Sequence, residues 1–492
     1  MFSDDIINSL TKHGRNASFS REQYVCFGKF NEFSSSKTSI NNEGHEMSRN
    51  VKLKNGRKVN RASGKSLAVY LILIPLIAFV IRLITSVNIQ AGGWAGADGE
   101  NYLSGVDAFL NNGFFANDSV LTYWPAGYPL LIWPFAAISL TKFVYMLVFV
   151  QSLFFAFSTY YLTKSISKTN LSYLAFTISL FISFNPTLSL GSLAIGYETP
   201  VASCLMMALA IAINALASNT NNKLSKKSVV FMGFWFSLAS FMQPRFILVA
   251  IIFILIFVVY SSSGINRIKV YLIGLIVMLL LPSLLVFRNV EAVGKATIST
   301  NLGVTMSLGA GDETLGGYKR IGPAIDCKST ESDATVSDNE IVKCILEWYA
   351  TNPLKTAKLA FHKSLYFWSP WSGPVAEGTM ARNPWLKISP IQSIQKSVEG
   401  AKLIRGDVGK FVSYLWLMGQ VALLLLGFFT LYKRVGLGKK VALLAATPVF
   451  LAWLITLGTI GDHRFRIPTM GLSLLLQVAG ILAIREKTTK AL

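Results

Sequence analysis

Apolar runs of about 20 residues recur along the chain, and a helix of that length crosses a ~30 Å hydrocarbon layer. The pattern predicts about ten spans, at 67–87, 143–163, 171–187, 200–217, 229–241, 246–260, 270–287, 411–432, 441–459 and 467–484. The segment 128–140 is equally apolar but carries prolines, so an interfacial or re-entrant piece is predicted there. Two long loops interrupt the rhythm, at 88–142 and 288–410. In the first, Tyr102, Val106, Phe109 and Leu110 share one face at helical spacing, and Asn112–Gly113 is a stop signal. In the second, Ser337 with Glu340 is a capping-box signature for a helix over 338–349. Asn352 as cap and Pro353 at the first position predict another helix, amphipathic and aromatic, suited to the membrane interface. Residues 1–65 are polar and aperiodic and read as a disordered tail. The first apolar segment lies too deep and runs too long for a cleavable signal peptide, and both Met1 and Met47 stay open as starts.

Composition turns this pattern into a class. Only 14% of the 492 residues are charged and 52% are hydrophobic, where a soluble protein carries roughly a quarter charged residues. The expected fold is an all-α polytopic membrane bundle. A net charge of +21 would point to nucleic acid in a soluble protein. Here topology accounts for it, and no nucleic-acid role is expected. With the tail inside, the short inner loops and the C-terminus hold fourteen Lys and Arg against one acid, Glu486. The chain then divides into a basic cytoplasmic tail (1–65), a membrane domain (66–484) with outer loops 88–142 and 288–410, and a second cytoplasmic tail (485–492). No cysteine–histidine cluster has zinc spacing. Cys327 and Cys344 share the large outer loop; they pair if it faces an oxidising compartment and are free thiols otherwise.

This orientation puts the candidate chemistry on one face. Asp98 and Glu100 sit at the start of the first-loop helix, with Tyr102 close behind. A carboxylate there suits a general base, and two at i and i+2 suit a divalent cation such as Mg or Mn, which prefers oxygen ligands. The bland alternative is that Asp98 merely caps its helix. Glu198 follows a glycine-rich turn at the mouth of span four, as a second acid, an arginine partner or a helix-start acid favoured by the dipole. Arg82, Arg245, Arg288, Arg464 and Arg466 stand at outer span ends. Each alone fits snorkelling; as a group they suit a membrane-embedded ligand with a phosphate at the outer surface. His463 reads as a loop polar group.

The order of these motifs resembles a known family. "DGENYLSGVDAFLNNGFF" (98–115) and "YWPAGYPLLIWP" (123–134) resemble the first loop of GT-C glycosyltransferases, polytopic enzymes that use polyprenyl-phosphate sugars. Protein O-mannosyltransferases and the aminoarabinose transferase of lipid A are among them. "ISTNLGVTMSLGAGDETLGGY" (298–318), "TNP" (351–353) and "GDHRFRIP" (461–468) resemble features of the bacterial members. "PAGYP" departs from stricter members, many of which carry a second proline before the glycine. The resemblance implies a GT-C-like bundle, with the first loop forming surface helices. It implies inverting transfer from a polyprenyl-phosphate sugar to a protein, lipid or glycan acceptor, at the outer face of a bacterial inner membrane. Asp98 matches the catalytic acid, Glu100 falls where members vary, and the arginine of the last loop, Arg464 or Arg466, matches the phosphate-binding region. Two rival readings stand beside it: a flippase or transporter of lipid-linked saccharide, and a surface-polysaccharide polymerase or ligase.

Overall fold

In the computed structural model the described residues are 61–88, 98–218, 225–261, 266–318, 325, 327, 338–370, 391–434 and 436–491. The tail over 1–60 and the capping-box residue Ser337 lie outside them. The chain divides into Met1–Lys65 and Ser66–Leu492, and the second unit carries the bundle. It is all-α and polytopic. Its helices are α1 (Arg61–Asn88), α2 (Gly99–Asn112), α3 (Ser119–Tyr123), α4 (Gly127–Ile138), α5 (Phe143–Ser167), α6 (Ala175–Phe184), α7 (Pro186–Leu190), α8 (Glu198–Ser218), α9 (Lys226–Met242), α10 (Phe246–Ser261) and α11 (Asn266–Val293). The large loop adds α12 (Leu302–Leu308), α13 (Asp338–Thr351), α14 (Pro353–Trp368), α15 (Ile391–Lys396) and α16 (Val398–Arg405). The last spans are α17 (Asp407–Tyr432), α18 (Leu437–Gly458) and α19 (Met470–Ala491), with a 3-10 helix, His463–Thr469, leading into α19.

Among the described residues seven helices are long and apolar enough to cross a membrane, or eight if a bent pair counts as one span. About ten were expected, and the difference has local causes. The predicted span 171–187 is the bent pair, Ser172–Phe184 and Pro186–Leu193, turned by 54°. Asn185 makes the break: its side chain accepts a hydrogen bond from Leu188 N at 2.9 Å, and Pro186 occupies the first helical position. The spans over 229–241 and 246–260 are helices of 17 and 16 residues, α9 and α10, which end on either side of Gln243-Pro244-Arg245. That turn stops both helices and aims Arg245 at the end of the bundle where the acids gather.

The core is built around α8. Sixteen of its 21 residues are buried, packed by α5, α9, the 3-10 helix and α19. Elsewhere the apolar faces point outward: Ile72, Ile77, Val80 and Ile84 of α1 are exposed, as expected of a helix whose solvent is lipid. Arg82 on the same helix does not snorkel. It is 1% exposed, bonds Ser189 Oγ at 2.9 Å and the Ser152 carbonyl at 3.1 Å, and lies over the Phe155 ring. An arginine inside a span faces the protein interior because lipid offers it no partner.

Candidate functional site

Three elements converge at one end of the bundle, beginning with the first loop. Its helix α2 buries Tyr102, Gly105, Val106, Ala108 and Phe109 and ends before Gly113, whose N–H donates to the Phe109 carbonyl. Tyr102, Val106 and Phe109 of the predicted face are buried, and Leu110 is half-buried at its edge. Asp98 holds the N-cap position, yet its side chain makes no capping hydrogen bond. Its carboxylate, 5% exposed as a residue, instead faces Arg464, with Asp98 Oδ2 2.5 Å from Arg464 Nη2. Beneath it Tyr102 packs edge-on to Tyr128 and Tyr197. Burial, and next the Asp98 carboxylate, raise the Tyr102 phenol well above its ordinary pKa. Helix α4 closes under this layer, with Gly127 so near the Phe241 carbonyl that any Cβ would collide with it.

The second element is the turn into α8. Gly196 has no Cβ, and the Glu198 carboxylate folds back into the space one would fill. Glu198 Oε1 thereby meets Arg464 Nε. The Gly196 N–H donates to Tyr128 Oη at 2.9 Å, tying this turn to α4. Tyr197 lies under the Arg464 guanidinium at 5.3 Å and accepts from Arg245 Nη2 at 2.9 Å. Burial raises the Tyr197 phenol, while the Arg245 and Arg464 charges oppose that rise. Arg245 stacks on the Phe465 ring at 3.9 Å, half-buried, with no carboxylate partner among the described residues.

The third element is the 3-10 helix His463–Thr469. Asp462 caps it, its Oδ1 accepting from Arg464 N at 2.8 Å. Arg464 then points to the two acids, and Arg466, two residues on, points the other way. Arg466 bonds Gln420 Oε1 at 2.9 Å and the carbonyls of Trp368 and Ser369. It has no acidic partner among the described residues, and its Nε is buried without a hydrogen bond. On this side a groove of about 700 Å³ runs between α6–α7, α17 and α19. Its walls are apolar, among them Phe181, Leu415, Trp416 and Leu474, and its polar end holds His463, Arg466, Gln420 and Gln477.

Of the expected site residues the fold brings Asp98, Tyr102, Glu198, Arg245 and Arg464 into one cluster and sets Arg466 at the neighbouring groove. Glu100 is not among them: it is exposed, in the first turn of α2. The acid across from Asp98 is Glu198, about a hundred residues away in sequence, so the i, i+2 pair is not the pair the fold makes. Arg288 also lies elsewhere. It is 0% exposed, and its donors reach the carbonyls of Phe114, Ala116 and Leu121 and the side chain of Asn289. It fastens the first loop to α11 by supplying donors to three of that loop's backbone carbonyls, which buried backbone requires.

Several residues were not legible beforehand. Tyr318, at the end of the run from Ile298, lies near Asp462 and Arg464, and burial raises its phenol. The Gly316 carbonyl accepts from Gly461 N at 2.7 Å, so the large loop braces the Asp462 turn directly. Behind that turn sits Lys363, 0% exposed, on the face of α14 with Leu359, Tyr366 and Phe367. It donates to Tyr349 Oη at 2.9 Å and to the Leu457 carbonyl at 3.0 Å. Burial lowers its pKa to about 7. The predicted interfacial helix is thus docked on α18 through a lysine. Asn352 does not cap it by its side chain, which donates back to the Trp348 carbonyl. Cys327 and Cys344 form a disulfide that pins the loop to α13.

No protein-family model and no curated relative matches the chain. Among solved structures it is similar to the archaeal oligosaccharyltransferase AglB from Archaeoglobus fulgidus in complex with an inhibitory peptide and a dolichol-phosphate. The TM-score is 0.47 at 13% identity, over 87% of this chain and 51% of that one. The apo form of the same enzyme gives 0.47 at 14% identity, again over 87% and 51%. The form tethered to an acceptor peptide with an NVT sequon gives 0.46 at 13%, over 87% and 50%. The chain spans about half the length of these structures.

Proposed function

We propose that this protein is a membrane glycosyltransferase that moves a sugar from a polyprenyl-phosphate donor to an acceptor hydroxyl or amine. The observation that carries the reading is the groove. An apolar trough that ends at a buried guanidinium with no acidic partner among the described residues suits an amphiphile with a hydrocarbon tail and an anionic head. The Asp98–Arg464–Glu198 cluster stands on the other side of the same 3-10 helix, where the head's far end would reach.

In this reading the isoprenoid tail lies along α6, α17 and α19, and Arg466 contacts the phosphate. Asp98 takes the proton from the acceptor, whose oxygen or nitrogen attacks the anomeric carbon. The bond from that carbon to the phosphate oxygen breaks, and polyprenyl phosphate leaves with the electron pair. The anomeric configuration inverts. Arg245, half-buried beside Tyr197, supplies a further cation toward the leaving group, and Tyr102 supports Asp98 from below. Positioning and fixed charge carry most of the rate. The positive-inside bias and the Cys327–Cys344 disulfide both support an outer-face site with cytoplasmic termini, and the bacterial inner membrane is the home we infer.

The bent pair α6–α7 beside the groove favours a second reading, a transporter of lipid-linked saccharide, since broken helices mark such sites. Purified protein incubated with a radiolabelled polyprenyl-phosphate sugar separates the two. Release of label from the lipid, lost in Asp98→Asn, is the expected outcome. Movement of intact labelled lipid across a vesicle without release would replace the transferase reading with the transporter one.

A further inference from the structure

We propose that the Arg464 guanidinium takes the place between Asp98 and Glu198 that a divalent cation would otherwise fill, and that Arg464 positions both acids without a metal. Its activity arm rests on the transferase reading; its metal-binding arm does not. Asp98 and Glu198 arrive from separate elements, and the oxygens that face each other across the site, Asp98 Oδ2 and Glu198 Oε1, are both engaged by one side chain. The planar guanidinium does this with two different nitrogens: Nε hydrogen-bonds Glu198, and Nη2 makes an ion pair with Asp98. A fork of that shape holds two carboxylates at a fixed angle, which a lysine ammonium does not.

The donor set around the pair does not suit a metal. Mg²⁺ demands near-ideal octahedral oxygen ligation and Ca²⁺ takes six to eight oxygens. Glu100, the acid nearest Asp98 in sequence, is exposed and outside the cluster. Asp462 is turned to the backbone, capping Arg464 N. Among the described residues no three His, Cys, Asp or Glu side chains are grouped as metal ligands. Arg464 is itself held in place by that cap, by the Tyr197 ring beneath it and by near-complete burial. Its charge is permanent. The site therefore holds a fixed single positive charge where a divalent ion would bring two exchangeable ones.

The consequence is specific. Without the guanidinium, two carboxylates face each other across a vacated position, which is a seat for a hard cation. The full-length protein in detergent is titrated with Mn²⁺, and bound metal is read by electron paramagnetic resonance, alongside transfer assays with and without EDTA. The wild type is expected to hold no stoichiometric Mn²⁺ at about 1 mM, the weak end of protein divalent sites, and to keep its activity in EDTA. Arg464→Gln is expected to lose about 100-fold or more in transfer, as when a fixed electrostatic group is removed. The same variant should gain one Mn²⁺ site, which Asp98→Asn removes in the double variant. A stoichiometric Mn²⁺ in the wild type that Asp98→Asn abolishes overturns the proposal, and so does EDTA-sensitive wild-type transfer restored by Mn²⁺. These two wild-type outcomes decide it even if Arg464→Gln does not fold. If no transfer is found under any condition, the transferase reading falls while the Mn²⁺ titration still decides the role of Arg464.

Discussion

Arg464 and Arg466 lie two residues apart on one 3-10 helix, both almost fully buried, and they meet opposite surroundings. Arg464 faces two carboxylates and an aromatic ring, and its cap fixes its backbone. Arg466 also lies over a ring, Trp368, but faces a glutamine, two carbonyls and an apolar groove in place of carboxylates. The first meets its counter-charges within the protein; the second has no acidic partner among the described residues. A buried charge left without a counter-charge is costly unless something supplies one. The difference teaches which arginine belongs to the framework of the site and which one the proposed anionic ligand would meet.

Four experiments break or sharpen that contrast, taken from the largest effect to the smallest. Asp98→Asn keeps the shape and removes the base, so transfer should fall by about 10²–10⁴-fold, measured by label release from protein that still elutes as a monodisperse species. Full activity in this variant would remove Asp98 from the mechanism. Next, Arg464→Gln leaves buried Asp98 and part-buried Glu198 without their cation and should cost about 3–5 kcal/mol of stability, whereas Arg466→Gln should leave the melting temperature nearly unchanged. The latter should instead raise the KM for lipid donor by roughly 10- to 100-fold, the loss of a charged hydrogen bond of about 1.5–3 kcal/mol. Equal destabilisation by the two substitutions would erase the contrast.

A third test probes the groove alone. A Cβ on Gly419 meets nothing within 4 Å, and the residue lines the trough, so Gly419→Phe should fill it without strain. Donor KM is expected to rise by about 10-fold with stability within about 0.5 kcal/mol, as for an uncrowded substitution. Unchanged KM would remove the tail from this groove.

The smallest effect concerns the footing the two arginines share. Burial lowers the Lys363 pKa from 10.5 to about 7 in the folded state. Between those values the unfolded chain binds the proton and the folded chain does not. Stability from this group should therefore rise with pH across roughly 7 to 10.5, by at most about 1.4 kcal/mol per pH unit. Lys363→Met should flatten that rise in melting curves taken at pH 7, 8 and 9. A wild-type stability that instead falls over this range for reasons lost in Lys363→Met would reverse the sign.

The site was partly legible, and the division follows physical range. The face of α2, its stop at Gly113 and the apolar spans rest on local spacing, which the helix preserves whatever it packs against. Asp98 was legible as an acid at a helix start; that its carboxylate leaves the cap for Arg464 was not, since a cap and an ion pair draw on the same side chain. Glu100 and Glu198 looked alike on paper, and only the turn at Gly196 sends one of them inward. By spacing alone Arg288 and Arg466 were both arginines at span ends, and only the family resemblance set Arg466 apart. One found the open carbonyls of the first loop and the other an apolar trough. Lys363 hid on a face that reads as interfacial because its partners, Tyr349 and the C-terminus of α18, come from elsewhere in the chain.

Taken alone, the sequence determined that this is a polytopic helical bundle, roughly where its apolar segments lie, and that acids and arginines collect near span ends. Those properties follow from the cost of exposing polar backbone to lipid and from local periodicity. Only the tertiary structure decided which acid meets which arginine and which arginine lines the apolar groove. Ion pairs and grooves are made by residues a hundred or more positions apart, and no spacing along the chain encodes where their helices meet.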